Sequence, residues 1–266
     1  MDDAKQAGEQ FARLVKILDT LRGEGGCPWD RKQDEKSITN YFLEEVYEAV
    51  DAILSGDSAA IAEELGDVLM EVVFLARICK EKKAFTMSSV VKTINEKMIR
   101  RHPHVFGDKK LDNSEAVVND WIQGKKIEKK RDSLFEGIAE TAPALHTAYQ
   151  IGLRASSYGF DWKESRDALL KVKEEVAELE RALESDKEDD IFQEMGDVLF
   201  ALVNVSRLIG RNPEICLRKA NEKFMLRFQE IERRLREKGK KLDDVGLEEM
   251  DAIWDQVKSS LPNPLK

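Results

Sequence analysis

Eight acidic residues stand in a pattern that suits metal binding. Glu45 and Glu48 are followed by Glu64 and Asp67, and the arrangement returns as Glu175, Glu178, Glu194 and Asp197. Each pair is spaced i, i+3, so on a helix both side chains leave the same face. In an antiparallel helical hairpin the two pairs of a set face each other and four carboxylates converge. Four like charges at short range raise one another's pKa or destabilise the fold unless a cation joins them. An all-oxygen set suits a hard ion, Mg²⁺ or Mn²⁺, and Mg²⁺ usually takes further ligands from water and phosphate. A di-iron bundle would need Glu-x-x-His motifs. The residues three positions before His102, His104 and His146 are Ile99, Arg101 and Pro143, which argues against iron.

A Glu-x-x-Glu pair on a charged helix is ordinarily a solvated face. Here the Gly-Asp-Val-Leu that contains Asp67 returns around Asp197. Both sets also lie among apolar residues, where a lone charge is expensive to bury. Glu71 has Ala201 as its counterpart and so reads as incidental.

Cations recur as well. Lys223 and Arg227 are spaced i, i+4, as are Lys97 and Arg101. A lysine point charge and an arginine fork are natural ligands for a triphosphate. Trp254 with Lys258, and Trp121 with Lys125, form further same-face pairs. The lysines read as phosphate contacts, and the tryptophans either as stacking partners for a base or as core anchors.

These residues need helices, and two copies of them. Glu44-Glu45-Val-Tyr-Glu48 and Glu174-Glu175-Val-Ala-Glu178 are offset by 130 positions, as are Arg77 and Arg207. Asn95-Glu96-Lys97 and Asn221-Glu222-Lys223 repeat at 126, and Trp29 and Trp162 at 133. An ordered series of this kind implies a duplicated unit, expected as 1–131 and 132–266, with the basic stretch Lys125 to Ser133 at the junction. Ile61, Leu65, Val68, Leu69, Val72 and Val73 keep a helical period, as do Leu169, Val172, Val176, Leu179 and Leu183. Gly56-Asp57-Ser58 and Ser185-Asp186 break the stripes where a helical hairpin must turn. No segment shows the sustained alternation of a strand. The expected fold is all-α, with each unit a bundle, or half of one, of four or five helices.

Composition agrees. Of 266 residues, 42% are hydrophobic and 36% charged, with only 15 glycines and 6 prolines, a balance suited to amphipathic helices. The net charge of -9 argues against a general nucleic-acid binder. Cys27, Cys79 and Cys216 show no CxxC spacing and read as reduced thiols. The polar start Met-Asp-Asp is no signal peptide. The apolar run Val68 to Ile78 holds Glu71 and Arg77 and is too short to span a bilayer. A soluble, cytoplasmic protein without membrane partners is expected.

Glu44-Glu45-x-x-Glu48 with Glu64-x-x-Asp67, repeated as Glu174-Glu175-x-x-Glu178 with Glu194-x-x-Asp197, resembles the metal-binding signature of the MazG-type nucleoside triphosphate pyrophosphohydrolases. Gly26-Cys27-Pro28-Trp29-Asp30, Arg100-Arg101-His102-Pro103-His104-Val105-Phe106 and Asn221-Glu222-Lys223-Phe224 resemble it too. The likeness covers nearly the whole chain and includes its tandem arrangement. It departs where Gly159-Phe160-Asp161-Trp162 lacks the Cys-Pro of the first copy.

The resemblance implies an all-α homodimer that is Mg²⁺-dependent. It implies hydrolysis of nucleoside triphosphates to a monophosphate and pyrophosphate, with broad base tolerance and a nucleotide-housekeeping role. By the same analogy the second unit is the main active site. Carboxylate-bound Mg²⁺ would then grip the triphosphate and lower the pKa of a water, while Lys223 and Arg227 offset phosphate charge. Either Glu174 or a metal ligand orients the water. Two rival readings are a pyrophosphohydrolase for one nucleotide (dUTP, dCTP or phosphoribosyl-ATP) and a nucleotide-binding scaffold without turnover.

Overall fold

A computed structural model describes residues 2–110, 113, 117, 133–185 and 187–260. Among these residues there is no strand, and the regular structure is helical. The chain divides into two compact units, Met1–Gly124 and Lys125–Lys266. The expected junction at 131–132, with Trp121 and Lys125, lies outside the described residues. No helix among the described residues is long and apolar enough to cross a membrane.

The first unit contains α1 (Asp3–Leu21), α2 (Pro28–Lys32), α3 (Glu35–Ser55), α4 (Ser58–Glu81), α5 (Met87–Arg101) and the short α6 (Pro103–Phe106). Its centre is the α3–α4 hairpin. Asp34 and Ser37 cap the start of α3 reciprocally: the Asp34 carboxylate accepts from the Ser37 N–H at 2.9 Å, and the Ser37 hydroxyl accepts from the Asp34 N–H at 3.0 Å. Gly56 ends α3 at φ +76°, a conformation that favours glycine. Asp57 then caps α4 by accepting from the Ala59 N–H at 2.9 Å. Two residues thus reverse the chain and set the two helices side by side.

The core of this unit is Leu18, Ile38, Val73, Phe74 and Ile78. Arg22, buried after α1, lies over the Phe74 ring at 5.3 Å and pairs with Glu81 through two hydrogen bonds of 2.9 and 2.8 Å. The burial and the fork geometry lock α1 against the end of α4.

The second unit contains α7 (Ala144–Ser156), α8 (Ser165–Ser185), α9 (Glu188–Leu208), α10 (Pro213–Glu237), a 3₁₀ turn (Leu242–Asp244) and α11 (Leu247–Ser260). The α8–α9 hairpin repeats α3–α4, and α7 packs on α9. Gly152 permits that packing, since a Cβ there would stand 2.6 Å from Asn204 Oδ1. In the same interface Arg207 reaches Asp161, with one bond of 2.9 Å. The divergent Gly159-Phe160-Asp161-Trp162 segment therefore ties the entry to α8 onto α9. Ile231, Leu235, Ile253 and Val257 close α10 against α11.

Helical periodicity marked the right segments, yet each unit covers only part of every stripe. Val73 and Val172 are buried, whereas Leu65, Leu69, Leu169 and Leu183 stay exposed, and Phe192 is 84% exposed.

Candidate metal centres on the paired helices

In the first unit the hairpin brings Glu45 from α3 beside Glu64 and Asp67 from α4. One carboxylate oxygen of each lies within 4.8 Å of the others. Glu48 stands next to Glu64 and acts on it by charge and hydrogen bonding. Burial, then the charges of Asp67, Glu48 and Glu64, pushes the Glu45 carboxyl above its ordinary range. Glu64 is pushed the same way, by burial and then by Glu48 and Asp67.

The second unit gathers Glu175, Glu194 and Asp197 within the same 4.8 Å span. Glu175 is only 7% exposed. Burial raises Glu194, with Glu178 the strongest neighbouring charge. Glu178 also pairs with Arg181 at 3.2 Å. One oxygen of Glu194, Oε2, is closed off from solvent and has no hydrogen-bond partner. A buried carboxylate oxygen without a donor is costly, and a hard dication among oxygen donors removes that cost. The residues present thus fit Mg²⁺ or Mn²⁺.

Two residues beside these quartets differ from what the sequence suggested. Lys171 went unnoticed. Its Nζ lies 2.7 Å from Glu174 and 2.8 Å from Glu175, so it sets the orientation of both acids from one turn earlier on α8. Its i, i+4 spacing to Glu175 was the available signal, but the counterpart at the 130-residue offset is Tyr41 and repetition did not flag it.

Glu71 is not incidental. It is 4% exposed, and its Oε2 is buried without a hydrogen-bond partner. Burial, then the charges of Glu45 and Asp67, pushes its carboxyl up to about 7. It lies one turn beyond Asp67 on α4, close enough for the charges of the acidic cluster to act on it, though outside the group of Glu45, Glu64 and Asp67.

The cations stand on other helices. Lys223 and Arg227 lie half-buried on α10. The Arg227 guanidinium sits 5.7 Å from the centre of the Trp254 ring, and Phe224 packs 5.2 Å from the same ring. Trp254 also leans on the cluster that joins α10 to α11, which makes it a core anchor and a platform for Arg227. Lys258 is exposed on α11. Lys97 and Arg101 lie on α5, which stops at Arg101: His102 takes φ -124°, ψ 57° and Pro103 begins α6. Its counterpart α10 continues beyond Arg227 to Glu237. Among the described residues no ion pair joins Lys223 or Arg227 to a quartet carboxylate.

The MazG nucleotide pyrophosphohydrolase domain family matches this chain twice, over residues 33–106 and 163–234. Each match spans one acidic quartet and one lysine–arginine pair. The chain is 41% identical to the nucleoside triphosphate pyrophosphohydrolase/pyrophosphatase MazG of Thermotoga maritima, over 96% of this chain and 98% of that one. It is 41% identical to the nucleoside triphosphate pyrophosphohydrolase of Escherichia coli K12, over 94% and 97%. With the Mycobacterium tuberculosis protein of the same name it shares 35% identity over 58% of this chain and 47% of that one.

Proposed function

The chain belongs to the MazG nucleotide pyrophosphohydrolase family and is a nucleoside triphosphate pyrophosphohydrolase; we propose that it works with Mg²⁺ or Mn²⁺, chiefly at the second unit, and releases a nucleoside monophosphate and pyrophosphate. The observation that carries this reading is the approach of Glu175, Glu194 and Asp197 within 4.8 Å, together with a buried Glu194 oxygen that has no protein partner.

Glu175, Glu178, Glu194 and Asp197 would hold the cation. When bound, it supplies positive charge to the triphosphate and acidifies water. Lys171 fixes Glu175 in its ligating direction and keeps Glu174 beside it. Glu174, or one of the ligating carboxylates, orients the attacking water and takes its proton. The water oxygen forms a bond to phosphorus as the bond to the pyrophosphate leaving group breaks. Lys223 and Arg227, with Trp254 steadying the guanidinium, offset the charge that collects on the leaving phosphates. Lys258 on α11 contacts phosphate at the rim.

Broad base tolerance follows from a residue set that grips phosphate rather than base edges, and nucleotide-pool housekeeping suits such an enzyme. The first unit, with Glu45, Glu48, Glu64 and Asp67, has Lys97 and Arg101 for the same contacts. Its truncated α5 makes it the weaker site or a packing unit. The working form is a homodimer that covers the exposed Leu183, Phe192 and Leu199 of the α8–α9 hairpin. The enzyme is cytoplasmic and has neither nucleic acid nor membrane as partner, in keeping with its net charge of -9.

The test is the identity of the first products. Purified protein, Mg²⁺ and a panel of nucleoside triphosphates are separated by ion-exchange chromatography. Monophosphate with pyrophosphate supports the proposal. Diphosphate with orthophosphate as the first products overturns it.

A further inference from the structure

The two units differ one turn before their acidic quartets. In the second unit that place is held by Lys171, which is engaged with Glu174 and Glu175. At the 130-residue offset the first unit has Tyr41, four residues before Glu45 and so on the same face of α3. The Tyr41 ring meets Trp29 edge to face, with centroids 5.9 Å apart and planes at 62°. Both rings reach solvent: Trp29 is 54% exposed and Tyr41 36%. The matching Trp162 of the second unit is half-buried.

Trp29 is fixed in place despite its exposure. Gly26 lets the chain fold back on the end of α1, where a Cβ would collide with the Leu21 carbonyl oxygen. The Cys27 N–H donates to that oxygen at 2.8 Å. The buried Arg22 guanidinium donates to the carbonyls of Asp30 and Gln33, the latter at 3.1 Å. Gln33 Nε2 donates to the Trp29 carbonyl at 3.2 Å. The short α2 is thus held at its start and at its end, and it presents an aromatic ring to water. A preorganised ring takes a planar guest at little cost in ordering. Two rings that meet edge to face form a corner rather than a closed stack, so a ring face stays open to such a guest.

This corner stands one helical turn from Glu45, in an enzyme whose substrate joins a base to a triphosphate. We infer that Trp29 and Tyr41 are a base-stacking subsite of the first unit, which holds a nucleoside triphosphate by its base as well as its phosphates. The inference rests on the reading that the first quartet takes a metal-bound triphosphate. It adds a division of labour: the first unit recognises the base, whereas Lys171 at the matching place in the second unit serves the acids instead.

The experiment is calorimetric titration of the full chain with Mg²⁺ and α,β-methylene-ATP, whose α–β bridge resists hydrolysis. A Glu175→Gln/Asp197→Asn background weakens the second site, and the binding that a further Glu45→Gln removes belongs to the first unit. Trp29→Ala is expected to weaken that binding by about tenfold or more, the range for loss of one base–aromatic stack. Tyr41→Lys weakens it as well, and Tyr41→Phe, which keeps the ring, does not. Inorganic tripolyphosphate has no base, so its Mg²⁺-dependent binding is the same with and without Trp29→Ala. Native affinity for the analogue in folded Trp29→Ala overturns the inference. An equal loss for tripolyphosphate also overturns it and makes Trp29 a structural residue. Dissociation into monomers with affinity unchanged overturns it and makes the pair a contact between copies. If Trp29→Ala does not fold, Tyr41→Lys against Tyr41→Phe decides, and equal affinities overturn the inference. Should the first unit bind no analogue at all, the inference fails, while Mg²⁺-dependent pyrophosphate release by the native chain leaves the proposed function standing.

Discussion

Lys171 Nζ lies 2.8 Å from the Glu175 carboxylate, one helical turn apart on α8. The contact places a fixed cation beside an acid that the proposed chemistry uses as a ligand. Lys171→Met therefore has two opposed effects. Loss of the ammonium strengthens attraction for Mg²⁺, while loss of the anchor lets Glu175 leave its ligating direction. Steady-state pyrophosphate release is expected to fall by roughly 10- to 100-fold, the range seen when a ligand's supporting partner is removed. The Mg²⁺ concentration for half-maximal rate is expected to stay constant or fall. A normal rate in this variant would remove Lys171 from the account.

Cation binding also has a thermodynamic signature. Acids of both quartets repel one another in the metal-free chain, so Mg²⁺ is expected to bind the folded state in preference to the unfolded one. At about 100-fold excess over its dissociation constant it adds roughly 2.7 kcal/mol. Melting curves with chelator and with Mg²⁺, matched for ionic strength, are expected to separate by several degrees. Coincident curves at saturating Mg²⁺ would count against preformed sites.

Glu71 makes the metal-free chain sensitive to pH. Its carboxyl stands at about 7 in the fold against an ordinary 4.5. The folded state therefore holds the proton more firmly than the unfolded state. The stability this contributes is fully present below about 4.5 and is lost as pH rises through about 7. The loss is on the order of 3 kcal/mol. In chelator, melting temperature is expected to decline between pH 5 and 8, and Glu71→Gln is expected to flatten that decline. An equal slope in the variant would place the pH dependence elsewhere.

Much of this was legible in the sequence, for identifiable reasons. The helices announce themselves because Val73 and Val172 recur with the period of a buried face, and Gly56-Asp57 supplies an αL stop followed at once by a cap. The quartets stand out because the same spacing appears twice. That reliance on duplication also hid the differences. Glu71 corresponds to Ala201, and Lys171 to Tyr41, so neither stood out by repetition. Burial of Glu71 depends on the tertiary position of α4, which a one-dimensional pattern does not contain. An apolar stripe likewise marks a helix without saying what covers it: Leu65 and Leu69 fit the period and are exposed. The Pro103 stop after Arg101 was readable from the residue itself, because a proline and its predecessor leave the helix for steric reasons.

The most direct measurement compares pyrophosphate release by four single variants of the full chain, at saturating Mg²⁺ and triphosphate, with circular dichroism to confirm folding. Glu175→Gln and Asp197→Asn remove proposed ligands from the second quartet and are each expected to cut turnover on the order of 100-fold or more, by analogy with the loss of a transition-state electrostatic contact. Glu45→Gln and Asp67→Asn are expected to retain substantial turnover, since α5 ends at Arg101 and leaves that unit the weaker grip on phosphate. Folded Glu175→Gln and Asp197→Asn proteins with normal turnover, beside inactive first-unit variants, would contradict the assignment of catalysis to the second unit.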